Sequence, residues 1–155
     1  MKMHDTTDPV TTAWTHFQRM HARLTDHLNR EIARETGLSQ ADFEILCALI
    51  QHPDAAPIRA IALRCGLEWE KSRLSHQLRR MEERGLVTRE TCEEDNRSTV
   101  IRVTPTGRSL AEAARRHYDR ALQHYVAEPL TDEQIDALDA ISDSILNRLG
   151  DRPHS

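Results

Sequence analysis

Cysteine, glycine and aromatic side chains are scarce in this chain. Its 155 residues include 3 Cys and 5 Gly, and aromatics make up 4%. Cys47, Cys65 and Cys92 are odd in number and far apart, with no Cys-x-x-Cys spacing, so reduced thiols are expected rather than a disulfide framework. Cys47 and Cys65 read as small core residues and Cys92 as exposed. No apolar run is long enough to span a bilayer, and Met1-Lys2-Met3-His4 does not begin a signal-peptide pattern, so a cytoplasmic protein without a membrane partner is expected. There is no nucleophile elbow, phosphate loop or metal-ligand spacing, which argues against a small enzyme. The 9 histidines form no His-x-x-x-His pair, and no cofactor is expected. So few large side chains would suit a lone globule poorly, and part of the apolar surface is expected to be buried against a second chain.

Net charge is −4, which by itself argues weakly against nucleic acid. The distribution argues the other way. From Arg64 to Arg108 there are ten Lys/Arg against eight Asp/Glu, and from Ala127 to Asp151 seven acids against one Arg. A basic middle and an acidic end suggest a local footprint for a polyanion, although solvated helix faces would give a similar count.

Periodicity predicts a first helix from about Pro9 to Glu35, with the apolar stripe Val10, Trp14, Phe17, Met20/His21, Leu24, Leu28 and Ile32. Gly37 stops it, and Ser39 can cap a second helix with Phe43, Leu46, Cys47 and Ile50 inward. A short helix from Ile58 to Cys65 should end at Gly66. After the helix that follows, residues 86–91 and 99–104 alternate as a half-exposed hairpin, and the polar link Cys92–Ser98 should project. Thr104-Pro105 opens a long helix to about Ala127, and Thr131-Asp132-Glu133-Gln134 has capping-box form before a last helix carrying Ile135, Leu138, Ile141, Ile145 and Leu149.

The helix beginning near Lys71 is the informative one. Leu74, Leu78 and Met81 recur at i, i+4, i+7 and make one buried stripe. Opposite lie Ser72, His76 and Arg79, flanked by Arg73, Ser75 and Arg80. Between Lys71 and Arg80 there are four basic residues and no acidic one. A helix with an apolar back and a small-polar, basic front suits a DNA major groove. The expected DNA-binding set is Lys71, Ser72, Arg73, Ser75, His76, Gln77, Arg79 and Arg80, with Arg97 in the minor groove and Asp95 holding it. The first turns would meet base edges, and Arg79 and Arg80 would meet phosphate.

The order helix, turn, helix, hairpin, with long helices at both ends, resembles the MarR family of winged-helix transcriptional regulators over nearly the whole chain. The match rests on Leu74-x-x-x-Leu78-x-x-Met81-Glu82-x-x-Gly85-Leu86-Val87, on Asp95-Asn96-Arg97, and on Val103-Thr104-x-x-Gly107. Glu70 departs from the small hydroxyl residue that the family often has at the start of the recognition helix.

The resemblance implies a mainly α, winged helix-turn-helix fold flanked by dimerisation helices. The expected division is residues 1–38 as tail and N-terminal dimerisation helix, 39–104 as the DNA-binding lobe, 105–150 as C-terminal dimerisation helices and 151–155 as a tail. It also implies a homodimer on a palindromic double-stranded operator, and a small-molecule effector that relieves repression. Trp14, Phe17, His21 and His117 are candidates for the effector pocket, with packing in the core of the dimer helices as the competing reading of the same residues. Within the same fold the alternatives are a zinc-responsive regulator or a redox-responsive one acting through Cys92. A winged helix used only for protein–protein contact is a further alternative.

Overall fold

A computed structural model of the chain describes residues 8–51, 56–91 and 98–150. The elements are α1 (Pro9–Thr36), α2 (Gln40–Ile50), β1 (Ile58–Arg59), α3 (Ala60–Leu67), α4 (Lys71–Glu83), β2 (Val87–Thr91), β3 (Thr99–Val103), α5 (Pro105–Leu122) and α6 (Asp132–Leu149). The fold is mainly α with a small antiparallel sheet, as the sequence implies. Two compact units, Met1–Tyr118 and Asp119–Ser155, divide the chain.

In the first unit one core gathers Ile32, Leu38, Ile45, Leu46, Leu49, Leu63, Leu74, Leu78, Met81, Leu86 and Ile101. The predicted stripe of α4 is buried throughout. At the start of α2, Ser39 accepts from the Asp42 N–H at 3.1 Å and Asp42 accepts from the Ser39 N–H at 2.9 Å, a reciprocal cap. Here the inward face differs from expectation. Asp42, Ile45, Leu46 and Leu49 are the buried residues, and Phe43 and Ile50 pack beside the core only in part. The helix turns Asp42 inward because that carboxylate finds partners on α4.

Ile58 and Arg59 do not open a helix as expected. They form a third strand, with Ile58 opposite Ile101 and Arg59 opposite Val100, so the sheet order is β1-β3-β2. Burial of the β-branched Ile58 and ladder pairing along β3 outweigh local helical periodicity there. Gly66 lies inside α3 rather than ending it. The stop is Glu68, left-handed at φ 57, where its N–H reaches the Cys65 carbonyl at 3.3 Å and the Trp69 N–H reaches the Arg64 carbonyl at 3.1 Å. Cys65 is exposed and Cys47 half-buried, so neither is the enclosed core thiol expected. Only Leu63 of α3 is buried, which leaves Cys65 on its outer side.

The wing pairs Val87 with Val103, Arg89 with Ile101 and Thr91 with Thr99. Its tip, with Cys92, Asp95 and Arg97, lies outside the described residues. Thr104 joins wing to α5: its hydroxyl donates to the Gly85 carbonyl at 2.6 Å and accepts from the Gly107 N–H at 3.0 Å. Along α1 only Leu28 and Ile32 are buried, and Val10, Trp14, Phe17 and Met20 are exposed.

In the second unit the helix after Leu122 widens into a π-turn over Gln123–Ala127, with the Glu128 N–H on the Gln123 carbonyl at 2.9 Å. Thr131 and Gln134 make the predicted capping box of α6. None of the residues of α6 is buried, and Ile135, Leu138, Ile141, Ile145 and Leu149 are all exposed. No helix among the described residues is long and apolar enough to cross a membrane.

Gly107 explains why the segment after the wing needs a residue without a side chain. A Cβ there would stand 2.1 Å from the Leu86 carbonyl oxygen and 3.1 Å from Val103 Cγ2. The obstacle at Leu86 is backbone and cannot rotate away. Gly107→Ala is expected to destabilise the fold by roughly 1–3 kcal/mol or more through overpacking, read as a lower urea midpoint. An unchanged midpoint would show that α5 and the α4–β2 turn are not held in this close contact.

Candidate nucleic-acid interface

The outer face of α4 follows from its buried back. With Leu74, Leu78 and Met81 facing the core, Lys71, Ser72, Arg73, Ser75, His76, Arg79 and Arg80 are all exposed. Ser72, Ser75, His76 and Arg79 line an open basin of about 690 Å³ together with Lys71, Arg89 and one carboxylate, Glu70. A second cleft, of about 520 Å³, runs between α3, α4 and the wing strands, and Arg59, Arg64, Lys71 and Arg89 contribute to it. Cations thus stand on both flanks of a helix whose centre presents hydroxyls and an imidazole. This is the charge layout a groove-entering helix requires: phosphate partners at the sides, and short hydrogen-bonding groups toward base edges.

Gln77 is the exception among the expected contacts. It is 7% exposed and belongs to the inner side of α4, where its amide donates to Asp42 Oδ1 at 2.6 Å and accepts from Arg80 at 2.6 Å. On the helical wheel Gln77 falls about 40° beyond Met81, at the edge of the apolar stripe, and a buried carboxylate draws the amide inward. Gln77 is therefore a support and not a base reader. Arg73 is also engaged within the chain, its guanidinium 3.7 Å above the ring centre of the buried Trp69. Stacking uses the face of the guanidinium and leaves its edge N–H groups directed elsewhere. Glu70 precedes α4 as its cap residue but makes no side-chain capping bond.

Arg59, Arg64 and Arg89 were not singled out by the sequence, although they lie in or beside its basic stretch. Arg89 belongs to an alternating strand whose neighbours gave no reason to prefer it. Its position is set by Glu82 on α4, which accepts the Arg89 backbone N–H at 3.0 Å and its guanidinium at 3.1 Å. That one carboxylate fastens the wing to the recognition helix and holds a cation beside it.

The effector candidates fall into separate places within the first unit. Trp14 stacks on Phe17 with ring centres 5.3 Å apart, and Phe17 on His21 at 5.9 Å, along the exposed face of α1. His21 also lines a cleft of about 890 Å³ among α1, α2, α3 and α5, with Phe43, Cys47, Arg115 and Tyr118. Trp14, Phe17 and His117 are not among that cleft's walls; His117 Nε2 lies 4.0 Å from Glu35 Oε2. Among the described residues no group of three or more His, Cys, Asp or Glu side chains is placed to hold a metal ion.

A buried-back, basic-front helix carried on a hairpin wing defines a transcriptional regulator with a DNA-binding winged helix. Comparison with known proteins gives the particular family. Residues 38–99 match the model of the MarR family. An HTH-type transcriptional regulator of Bacillus subtilis (strain 168), YdgJ, is 30% identical over 115 residues, which cover 72% of this chain and 68% of the relative. AbsC, a MarR family transcriptional regulator from Streptomyces coelicolor, superposes with a TM-score of 0.83 at 30% identity, over 92% of this chain and 95% of its own. Sco3205, a MarR family regulator from the same organism whose structure is a complex with DNA, gives a TM-score of 0.81 at 28% identity over 89% of each chain. The chain belongs to the MarR family.

The Glu82–Arg89 link carries a pH signature. The side-chain hydrogen bond from Arg89, more than its backbone bond or charge, holds the Glu82 carboxyl below its ordinary value against a smaller opposing effect of burial. A carboxyl more acidic in the folded state stabilises that state above its unfolded value, about pH 4.3. The contribution is lost as pH falls through the lowered folded value. Glu82→Gln should therefore be less stable than the parent at neutral pH and converge with it in strong acid. Urea midpoints measured down the acid limb check this, and a parallel offset at every pH would exclude the linkage.

Proposed function

We propose that the chain is a homodimeric, sequence-specific DNA-binding repressor whose grip on a palindromic operator is relieved by a small effector. The observation that carries this reading is the exposed face of α4: Ser72, Ser75 and His76 at the centre, with Lys71, Arg79, Arg80 and Arg89 around them. In this reading α4 enters the major groove, Arg73 reads a base edge while stacked on Trp69, and Arg79 and Arg80 meet phosphate. Arg59 and Arg64 add phosphate contacts from the neighbouring cleft. At the wing tip Arg97 reaches the minor groove, with Asp95 orienting it. That Sco3205, a family member of the same fold, was solved as a complex with DNA supports duplex DNA as the partner. Residues 39–104 form the DNA-binding lobe, and residues 1–38 and 105–150 supply dimerisation helices. The 890 Å³ cleft, with aromatic walls and Arg115 among its polar groups, has the size and mixed lining of a small-molecule site, and we assign the effector to it. His21 is the residue of the expected effector set that belongs to its wall.

Arg80→Ala should weaken binding to specific and random duplexes alike and lower the salt dependence by about 0.9 in the slope of log affinity against log salt, one phosphate contact fewer. Fluorescence anisotropy across a salt series measures both. An unchanged slope would remove Arg80 from the phosphate-contacting set.

The exposed apolar residues of α6 are the proposed dimer surface. Placing aspartate at Ile141 would bury an unpaired charge in that interface at a cost of several kcal/mol. Sedimentation should show a dimer for the parent and a monomer for Ile141→Asp. A monomeric parent would overturn the homodimer outright.

A further inference from the structure

The inward turn of Gln77 leaves a polar chain that neither core packing nor DNA reading explains. Asp42 is 2% exposed, yet its carboxylate is fully engaged. Its Oδ2 accepts the Ser39 N–H at 2.9 Å and Arg84 at 2.7 Å, and its Oδ1 accepts the Gln77 amide at 2.6 Å. Arg84 also donates to the Gly37 carbonyl at 3.2 Å. The carboxylate thus joins the start of α2 to the middle of α4, and Arg84 extends the junction to the end of α1.

The chemistry of an amide gives this junction a direction. A carboxylate only accepts, so it must face the NH2 end of Gln77. The carbonyl end then points the other way, and a second buried acceptor there needs a donor. Arg80 supplies it: its guanidinium donates to Gln77 Oε1 at 2.6 Å. With the amide flipped, Gln77 would present oxygen to the Asp42 carboxylate and NH2 to the guanidinium, which is repulsive at both ends. One orientation is allowed, and it holds one edge of the guanidinium of Arg80, a residue that is exposed as a whole.

We infer that Asp42 and Gln77 form a positioning relay that pre-orients Arg80 for a DNA phosphate. The inference rests on the reading of α4 as the groove-entering helix. Neither relay residue touches DNA. Each acts by removing conformational freedom that the flexible Arg80 side chain would otherwise lose on binding. Because Asp42 also belongs to α2, whose Phe43 and Cys47 line the 890 Å³ cleft, the same junction joins the cleft wall to a phosphate-facing cation.

A double-mutant cycle on the full-length chain tests the relay, with a duplex that this protein selects from a random-sequence library. Gln77→Met keeps the volume of the side chain and removes both hydrogen bonds. It should weaken binding roughly tenfold in the parent, the scale of a lost hydrogen bond to a charged group, and by less than about twofold in an Arg80→Ala background. Its salt slope should match the parent, because the charge of Arg80 remains. A role limited to the stability of α4 would weaken binding equally in both backgrounds, and that result overturns the relay. So does an unchanged affinity.

Guanidinium NMR of the free protein gives a reading that needs no DNA. Rotation of the Arg80 terminal nitrogens should be slow compared with Arg79, which is exposed on the same helix and has no such acceptor among the described residues. Asp42→Asn and Gln77→Met should both release it. Equal rotation of Arg79 and Arg80 in the parent overturns the relay even if neither variant folds. A chain that binds no duplex but keeps Arg80 slow would instead locate the failure in the DNA reading of α4.

Discussion

The burial of Leu74, Leu78 and Met81 is the constraint on which this molecule depends. All three are nearly inaccessible and share a core with Leu46, Leu49, Leu86 and Ile101. Each such side chain contributes roughly 1.5–3 kcal/mol when removed from water. An exposed ion pair contributes at most about 1 kcal/mol. Packing therefore decides how α4 is rotated about its axis, and the outward direction of Ser72, His76 and Arg79 is its consequence. Sequence change on the outer face leaves that rotation untouched, so specificity can vary while the platform stays.

Polar groups then refine what packing places. Glu82 ties the wing to α4, Thr104 ties the end of β3 to the α4–β2 turn, and Asp42 ties α4 to the α1–α2 corner. Burying the Asp42 carboxylate costs desolvation, which its bonds to Ser39, Gln77 and Arg84 offset. What such a junction supplies is geometry: each donor must lie where the carboxylate lone pairs point. Rigid placement of α4, the wing and their cations is what a surface must have to match the fixed spacing of DNA phosphates without losing affinity to side-chain entropy.

Apolar surface is distributed unevenly. The first unit buries the lower part of α1, and leaves Val10, Trp14, Phe17 and Met20 in solvent; the second buries nothing along α6. A stripe of five large aliphatic residues on an 18-residue helix has no function in water by itself, and it supports a second copy as the covering partner. The modest aromatic content points the same way. Total charge misleads here, because the acids of Asp132, Asp136, Asp139 and Asp143 on α6 mask the cations gathered around α4.

The α4 stripe, the caps at Ser39 and Thr131, and the hairpin from Val87 to Val103 were all legible in the sequence, because each is a local pattern. A period of 3.6 or 2, or a hydroxyl three residues from its partner, is written within a few positions. The basic front of α4 followed from those patterns, and the resemblance to the MarR family was carried by the order of the elements and by the residue motifs from Leu74 to Val87 and from Val103 to Gly107. Tertiary structure alone decided the role of Gln77, the third strand at Ile58, the stop at Glu68 and the position of Arg89. Gln77 looked like a base reader until its acceptor, 35 residues away on another helix, was in place. Arg84 reaches the same carboxylate across 42 residues. Helical periodicity records which side of a helix is apolar, but it carries no information about a polar partner on another element. A side chain at the border of the stripe is therefore assigned inward or outward only when the chain has closed on itself.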